Sequence, residues 1–284
     1  MPESLDVSIK PAATRRQLVA GAAATLGGMG LLGLPEMAQA SSLALARRKV
    51  RNDPQTILNV AATAEVLATI VNTVGGEQGV GFFRGLPGDS AGQTTLTNIR
   101  AAAREELVHY KVLVSGAVGG RAITKRIWVP DSVFANATNL LNTLEVGDQI
   151  FVNAYQLGTL EFGYRGAGDL AVVASQFMGV EAVHRALARQ SNGKLGNDRV
   201  FMKLDEEEEA PNAPNRGQEG FLNILGAVKQ LEAAGFGFGK QGAKPGRFYN
   251  FDEVSKRTPE KAAGPDIQNV PDLSELNTFA PDPD

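Results

Sequence analysis

The chain has 284 residues, 43% of them hydrophobic and 6% aromatic, with a formal net charge of −3. That length suits one medium domain with extensions or two small ones, and without a basic excess the chain has no electrostatic footprint for nucleic acid or an anionic membrane. It has no cysteine, which excludes disulfides, thiolate metal sites and cysteine nucleophiles, and it has 2 histidines, so histidine-dependent chemistry must use His109 or His184.

Residues 1–13 are polar and lack a hydrophobic pattern. Arg15-Arg16 then precedes an apolar, glycine- and alanine-rich run from Leu18 to Leu34, followed by Pro35 and the small residues of Ala38-Gln39-Ala40. A charged region, a mildly apolar core and a small-residue cleavage site describe a secretory signal over residues 1–40. The paired arginines resemble a twin-arginine signal. The expectation is an exported, periplasmic or extracytoplasmic protein, with the twin-arginine machinery as partner. That route carries folded proteins, which would permit a metal to be loaded before export. An uncut membrane anchor is the alternative, for which the glycine-rich run is marginal in length.

Four helices are predicted between residues 53 and 190. The first opens at Asp53-Pro54, a cap followed by proline at the first helical position, and runs to Gly75-Gly76. A glycine-rich loop follows. The second helix runs from about Thr95 to Ser115. Residues 117–132, containing Trp128 and Pro130, form a long connection. The third helix starts near Asp131 or Ser132 and reaches about Leu160; after a turn over Gly163–Gly168, Asp169 caps a fourth that ends near Gln190. Strong alternating runs are absent, so the fold class is all-α, a bundle of four helices.

Residues 191–284 differ in character. Asp205–Glu209 is an acidic run, read as a solvated loop. Phe221–Ala234 is a short amphipathic helix. The remainder is expected to be irregular. Gly235-Phe236-Gly237-Phe238-Gly239 looks like a glycine loop, but without a preceding strand it is not a phosphate site.

Both histidines stand three residues after a glutamate, in Glu106-Leu107-Val108-His109 and Glu181-Ala182-Val183-His184. Residues three apart share a helix face, so each carboxylate and imidazole can point at one ion. In the fourth helix Glu181 and His184 interrupt an apolar stripe of Leu170, Ala174, Phe177 and Ala188. In the second helix Glu106 lies on the stripe of Ile99, Ala103, Tyr110 and Leu113, with His109 on its edge and Glu105 turned toward solvent. In the first helix Glu65 is flanked by Ala61 and Ala68 on the same face. A core carboxylate costs several kcal/mol unless it is paired or metal-bound, and cations would supply the missing charge.

The third helix should provide a fourth carboxylate. Asp148 lies on the stripe of Ala137, Leu141, Leu144, Phe151 and Tyr155; Glu145 lies about 60° round the helix and is the second choice; Glu161 is too near the turn. Tyr110 and Tyr155 are read as core aromatics. The expected metal ligands are therefore Glu65, Glu106, His109, Asp148, Glu181 and His184, with Glu106 and Glu181 bridging. Carboxylate and imidazole donors suit two iron or manganese ions, with dioxygen or peroxide as reaction partners.

Bundles with a di-metal centre use one carboxylate from each of two helices and a Glu-x-x-His from each of the other two. Ile57-Leu58-Asn59 before Glu65, Glu106-x-x-His109, Ala154-Tyr155 and Val180-Glu181-Ala182-Val183-His184 together resemble the exported ferritin-like domain family that includes desiccation-related proteins. The resemblance covers residues 53–190. It implies a ferritin-like four-helix bundle with ferroxidase-like or peroxide-directed redox chemistry. The chain departs from the family pattern at Ala68, where a second glutamate is frequent, and at Asp148-Gln149, where glutamate is usual. The competing expectation is a non-catalytic envelope protein that protects during stress or binds a partner, with the carboxylates and histidines forming a metal-free polar layer. Oligomeric state is not readable from these features.

Overall fold

The computed structural model describes residues 52–197 and 220–259. The signal expected over 1–40, the acidic run Asp205–Glu209 and the tail beyond 259 lie outside the described residues. The described chain is mostly helical, with one small sheet.

Helix α1, Pro54–Glu77, starts where Asp53 accepts hydrogen bonds from the Thr56 amide (2.8 Å) and hydroxyl (2.9 Å), with proline in the first turn. It is long and apolar enough to cross a membrane by length and composition, yet 89% of that stretch is buried inside the protein. A helix that is apolar all round belongs in the middle of a core. The short α2, Val80–Phe83, follows, and then α3, Gln93–Leu113. Gly92 at the α3 N-cap has no side chain to offer, so Asp89 reaches forward instead, accepting from Gly92 N (3.1 Å) and Thr95 N (2.7 Å). In the same loop, a Cβ on Gly88 would lie 1.7 Å from the Gln190 carbonyl oxygen. Only glycine lets this loop touch the end of the last long helix.

The connection after α3 contains strand β1, Arg126–Pro130, and a 3₁₀ turn, Asp131–Phe134. Helix α4, Ala137–Tyr164, begins after that turn, capped by Asn136 accepting from Asn139 N at 2.8 Å. The sequence reading placed this start five or six residues early, because the 3₁₀ turn continues the helical pattern without the helical ladder. Helix α5, Gly168–Ser191, has Asp169 in its first turn rather than at its cap. Helix α1 packs along α3 and α4 along α5, and the two pairs meet through α1 against α4 and α3 against α5.

The described chain is mostly helical, as expected, but part of the extension expected to be irregular joins a small sheet. Helix α6, Leu225–Ala234, ends at Gly235 (φ 109°) and leads into β2, Gly237–Phe238, and β3, Gly246–Asn250. Both strands pair antiparallel with β1, in the order β2-β1-β3, with Ile127 opposite Phe238 on one side and Tyr249 on the other. Short strands whose partners lie more than 100 residues apart carry too little local alternation to be read from the chain. Helix α7, Phe251–Val254, follows. Asn52 pins the segment before α6, donating to Leu222 O (2.9 Å) and accepting from Ile224 N (2.8 Å), and the buried hydroxyls of Thr73 and Thr258 stand 2.8 Å apart.

Candidate metal centre

Glu65, Glu106 and Glu181 are fully buried at the middle of α1, α3 and α5. Each sits on the face its helix turns inward. Together with His109 they bring one ligand atom apiece within 4.8 Å of one another. Ligand atoms on one tetrahedral ion stand about 3.4 Å apart, so the group would have to draw in by about 1 Å to close on an ion.

His109 is buried rather than on a stripe edge, its ring stacked on Phe177 at 4.0 Å between centroids. Its Nδ1 faces Glu181 Oε1 at 3.2 Å, Glu106 Oε2 at 3.4 Å and Glu65 Oε2 at 3.6 Å. His184 Nδ1 faces the other two oxygens of the same pair, Glu106 Oε1 at 3.1 Å and Glu181 Oε2 at 3.6 Å. Glu106 and Glu181 thus lie between the two imidazoles, each turning one oxygen to each ring.

Two residues act differently from the sequence expectation. Glu105, expected in solvent, is part-buried, and its Oε2 is 2.5 Å from His184 Nε2. Tyr155, read as a core aromatic, donates its hydroxyl to Glu65 Oε1 in a short hydrogen bond and meets Phe177 edge-on at 5.6 Å. The stripe containing Asp148 already aimed Tyr155 inward, but its partner comes from α1. For Glu105 the chain carries no signal, because its partner is on α5.

Asp148 is buried, with one oxygen lacking a hydrogen-bond partner, and shares a narrow cavity of about 20 Å³ with His184. It is not among the four residues whose ligand atoms converge. Glu145 is engaged elsewhere, with Arg189 and with Lys194 at 2.5 Å. Glu161 accepts from Asn52 at 3.2 Å.

Electrostatics make the same point. Burial, then repulsion from Glu106, pushes the Glu65 carboxyl up to about 8, against the pull of His109. Burial, then the Glu181 charge, pushes Asp148 well above the carboxylate range. Burial alone would draw both imidazoles down. For His109 the facing Glu65, Glu106 and Glu181 outweigh it, and for His184 Glu105, Glu106 and Glu181 do, so both stand well above the ordinary histidine value. Burial, then the Glu65 charge, raises the Tyr155 phenol. Glu105 runs the other way: burial would raise it, but the hydrogen bond from His184 leaves it lowered.

A cation fits this donor set. Glu65 Oε2, Glu106 Oε2, both Glu181 oxygens and His109 Nδ1 are buried with no hydrogen bond of good geometry, and among the described residues the only opposite charge facing the carboxylate oxygens is that of the two imidazoles. Such groups are costly unless something of opposite charge sits among them. Oxygen and imidazole donors without thiolate match iron, manganese or zinc.

No protein-family model, no curated protein and no solved structure matches the chain. Its functional reading therefore rests on the site itself.

Proposed function

We propose that the chain is an exported ferritin-like protein whose α1, α3, α4 and α5 hold a carboxylate-bridged pair of iron or manganese ions. The observation that carries this is the placement of Glu106 and Glu181, each with one oxygen facing His109 Nδ1 and the other facing His184 Nδ1. Glu65 serves the His109 position. Asp148, buried beside His184, serves the other.

The surrounding residues do the orienting. Tyr155 occupies Glu65 Oε1 and leaves Oε2 for an ion. Glu105 accepts a hydrogen bond from the Nε2–H of His184, which would leave the Nδ1 lone pair, on the side of Glu106 and Glu181, to an ion when one is bound. Phe177 covers His109 and keeps water from that side. When bound, the metal pair would supply one-electron chemistry toward dioxygen or peroxide. A bundle assembled before passage through the twin-arginine route would carry its metal with it.

Metal analysis of protein folded with iron or manganese tests the reading. About two ions per chain are expected, lost in Glu181→Ala and His184→Ala. An equally stable wild type that takes up neither metal overturns it. A second reading, a metal-free envelope bundle, is favoured by the hydrogen bonds that Tyr155, Glu65, His184 and Glu105 make among themselves. The same measurement decides between the two.

A further inference from the structure

A second cavity, lined by none of these carboxylates, lies between α1, α4, α6 and the β2 strand. Its volume is about 180 Å³. The room comes from side chains that stop at Cβ: Ala61 and Ala64 on α1, Ala154 on α4 and Ala227 on α6. Phe151 and Leu231 supply bulkier walls, and no charged side chain among the described residues lines it. Ile123 and Leu225, also in the lining, are 68% and 49% exposed and form its apolar rim.

Among the described residues Thr63 is the one polar side chain in the lining, and its hydroxyl has only one acceptor site left. Its hydroxyl donates to Asn59 O at 2.7 Å and accepts from Ile123 N at 2.9 Å. Water inside the cavity would find little beyond that one acceptor site in the wall, although the cavity opens to solvent past Ile123 and Leu225. An enclosed apolar cavity of about 150 Å³ stays dry and takes up benzene, and an apolar molecule seated here would likewise displace water that the wall holds poorly.

We propose that this cavity is a binding site for a small apolar molecule, the size of a single aromatic ring or a short hydrocarbon chain, recognised by shape and apolar contact alone. Polar or charged molecules of equal size are rejected, because desolvating them is uncompensated there. The proposal does not rest on the metal centre and stands whether or not the chain binds metal.

The test is thermal unfolding of the full chain, titrated with benzene and, separately, with phenol and benzoate. Benzene raises the melting temperature of the wild type by a few degrees, phenol less, and benzoate not at all. Ala227→Leu fills the space from α6, keeps or raises the basal melting temperature, and abolishes the benzene response. Val228→Phe, from the same helix, does the same should Ala227→Leu fail to fold. No benzene response in the wild type overturns the proposal. So does an equal response in the filled variants, which would place benzene elsewhere. A segment of this chain already seated in the cavity would appear as no benzene response together with destabilised filled variants, and that too overturns it.

Discussion

Glu105 Oε2 stands 2.5 Å from His184 Nε2, joining an acidic residue of α3 to an imidazole of α5 across 79 positions of sequence. The imidazole is buried while the carboxylate is 40% exposed. The bond to His184 keeps Glu105 charged against the pull of burial, and Glu105 directs the imidazole from the solvent side. Carboxylate partners of this kind typically tune metal affinity by about 10- to 100-fold. Glu105→Ala is expected to weaken binding by that order without changing the number of ions bound, and Glu105→Gln by less. A competition titration against a chelator measures both. An unchanged affinity in both variants removes Glu105 from the centre.

The metal-free protein should lose stability as pH rises. Glu65 is raised from 4.5 to about 8, so its contribution is fully present below the unfolded value and is lost as pH climbs toward 8. Asp148, His109 and His184 are raised as well and act in the same direction. The loss attributable to Glu65 is on the order of a few kcal/mol. Bound cations reverse the trend, because they require the deprotonated carboxylates. Melting temperature without metal should fall from pH 5 to pH 8, and the increment on adding iron or manganese should grow over the same window. A flat profile in both states contradicts the charge assignment.

Removing the Tyr155 hydroxyl leaves Glu65 Oε1 buried without its donor. An orphaned buried acceptor costs about 1–3 kcal/mol. Tyr155→Phe should lower stability by that amount in denaturant unfolding of the metal-free protein. Metal should restore part of the loss, by giving Glu65 another partner. A Phe variant as stable as wild type would mean that the hydroxyl does not hold Glu65.

Asn52 tests whether residues 220–224 belong to the folded unit. Its side chain makes hydrogen bonds to Leu222, Ile224 and Glu161. Asn52→Ala should cost about 1–3 kcal/mol and should speed amide exchange at Ile224 ahead of exchange in α1. Uniform exchange across both segments would show that the two open together.

Much of this was legible in the chain, for a local reason. Helical phase depends on spacing alone, so the inward positions of Glu65, Glu106, Glu181 and Asp148 follow from the apolar residues beside them. The Asp53-Pro54 start of α1 is likewise a local signal. The β1 strand was hidden because its partners come from residues 237–250, and Glu105 because one turn of helix cannot reveal a neighbour on another helix.

Residue spacing along single helices was thus enough to name a buried group of carboxylates and histidines, since periodicity is a property of one helix by itself. Which oxygen faces which imidazole, and whether Glu105 and Tyr155 take part, was decided by packing α1, α3, α4 and α5 against one another. Those contacts are a few ångströms long, and their geometry exists only between helices.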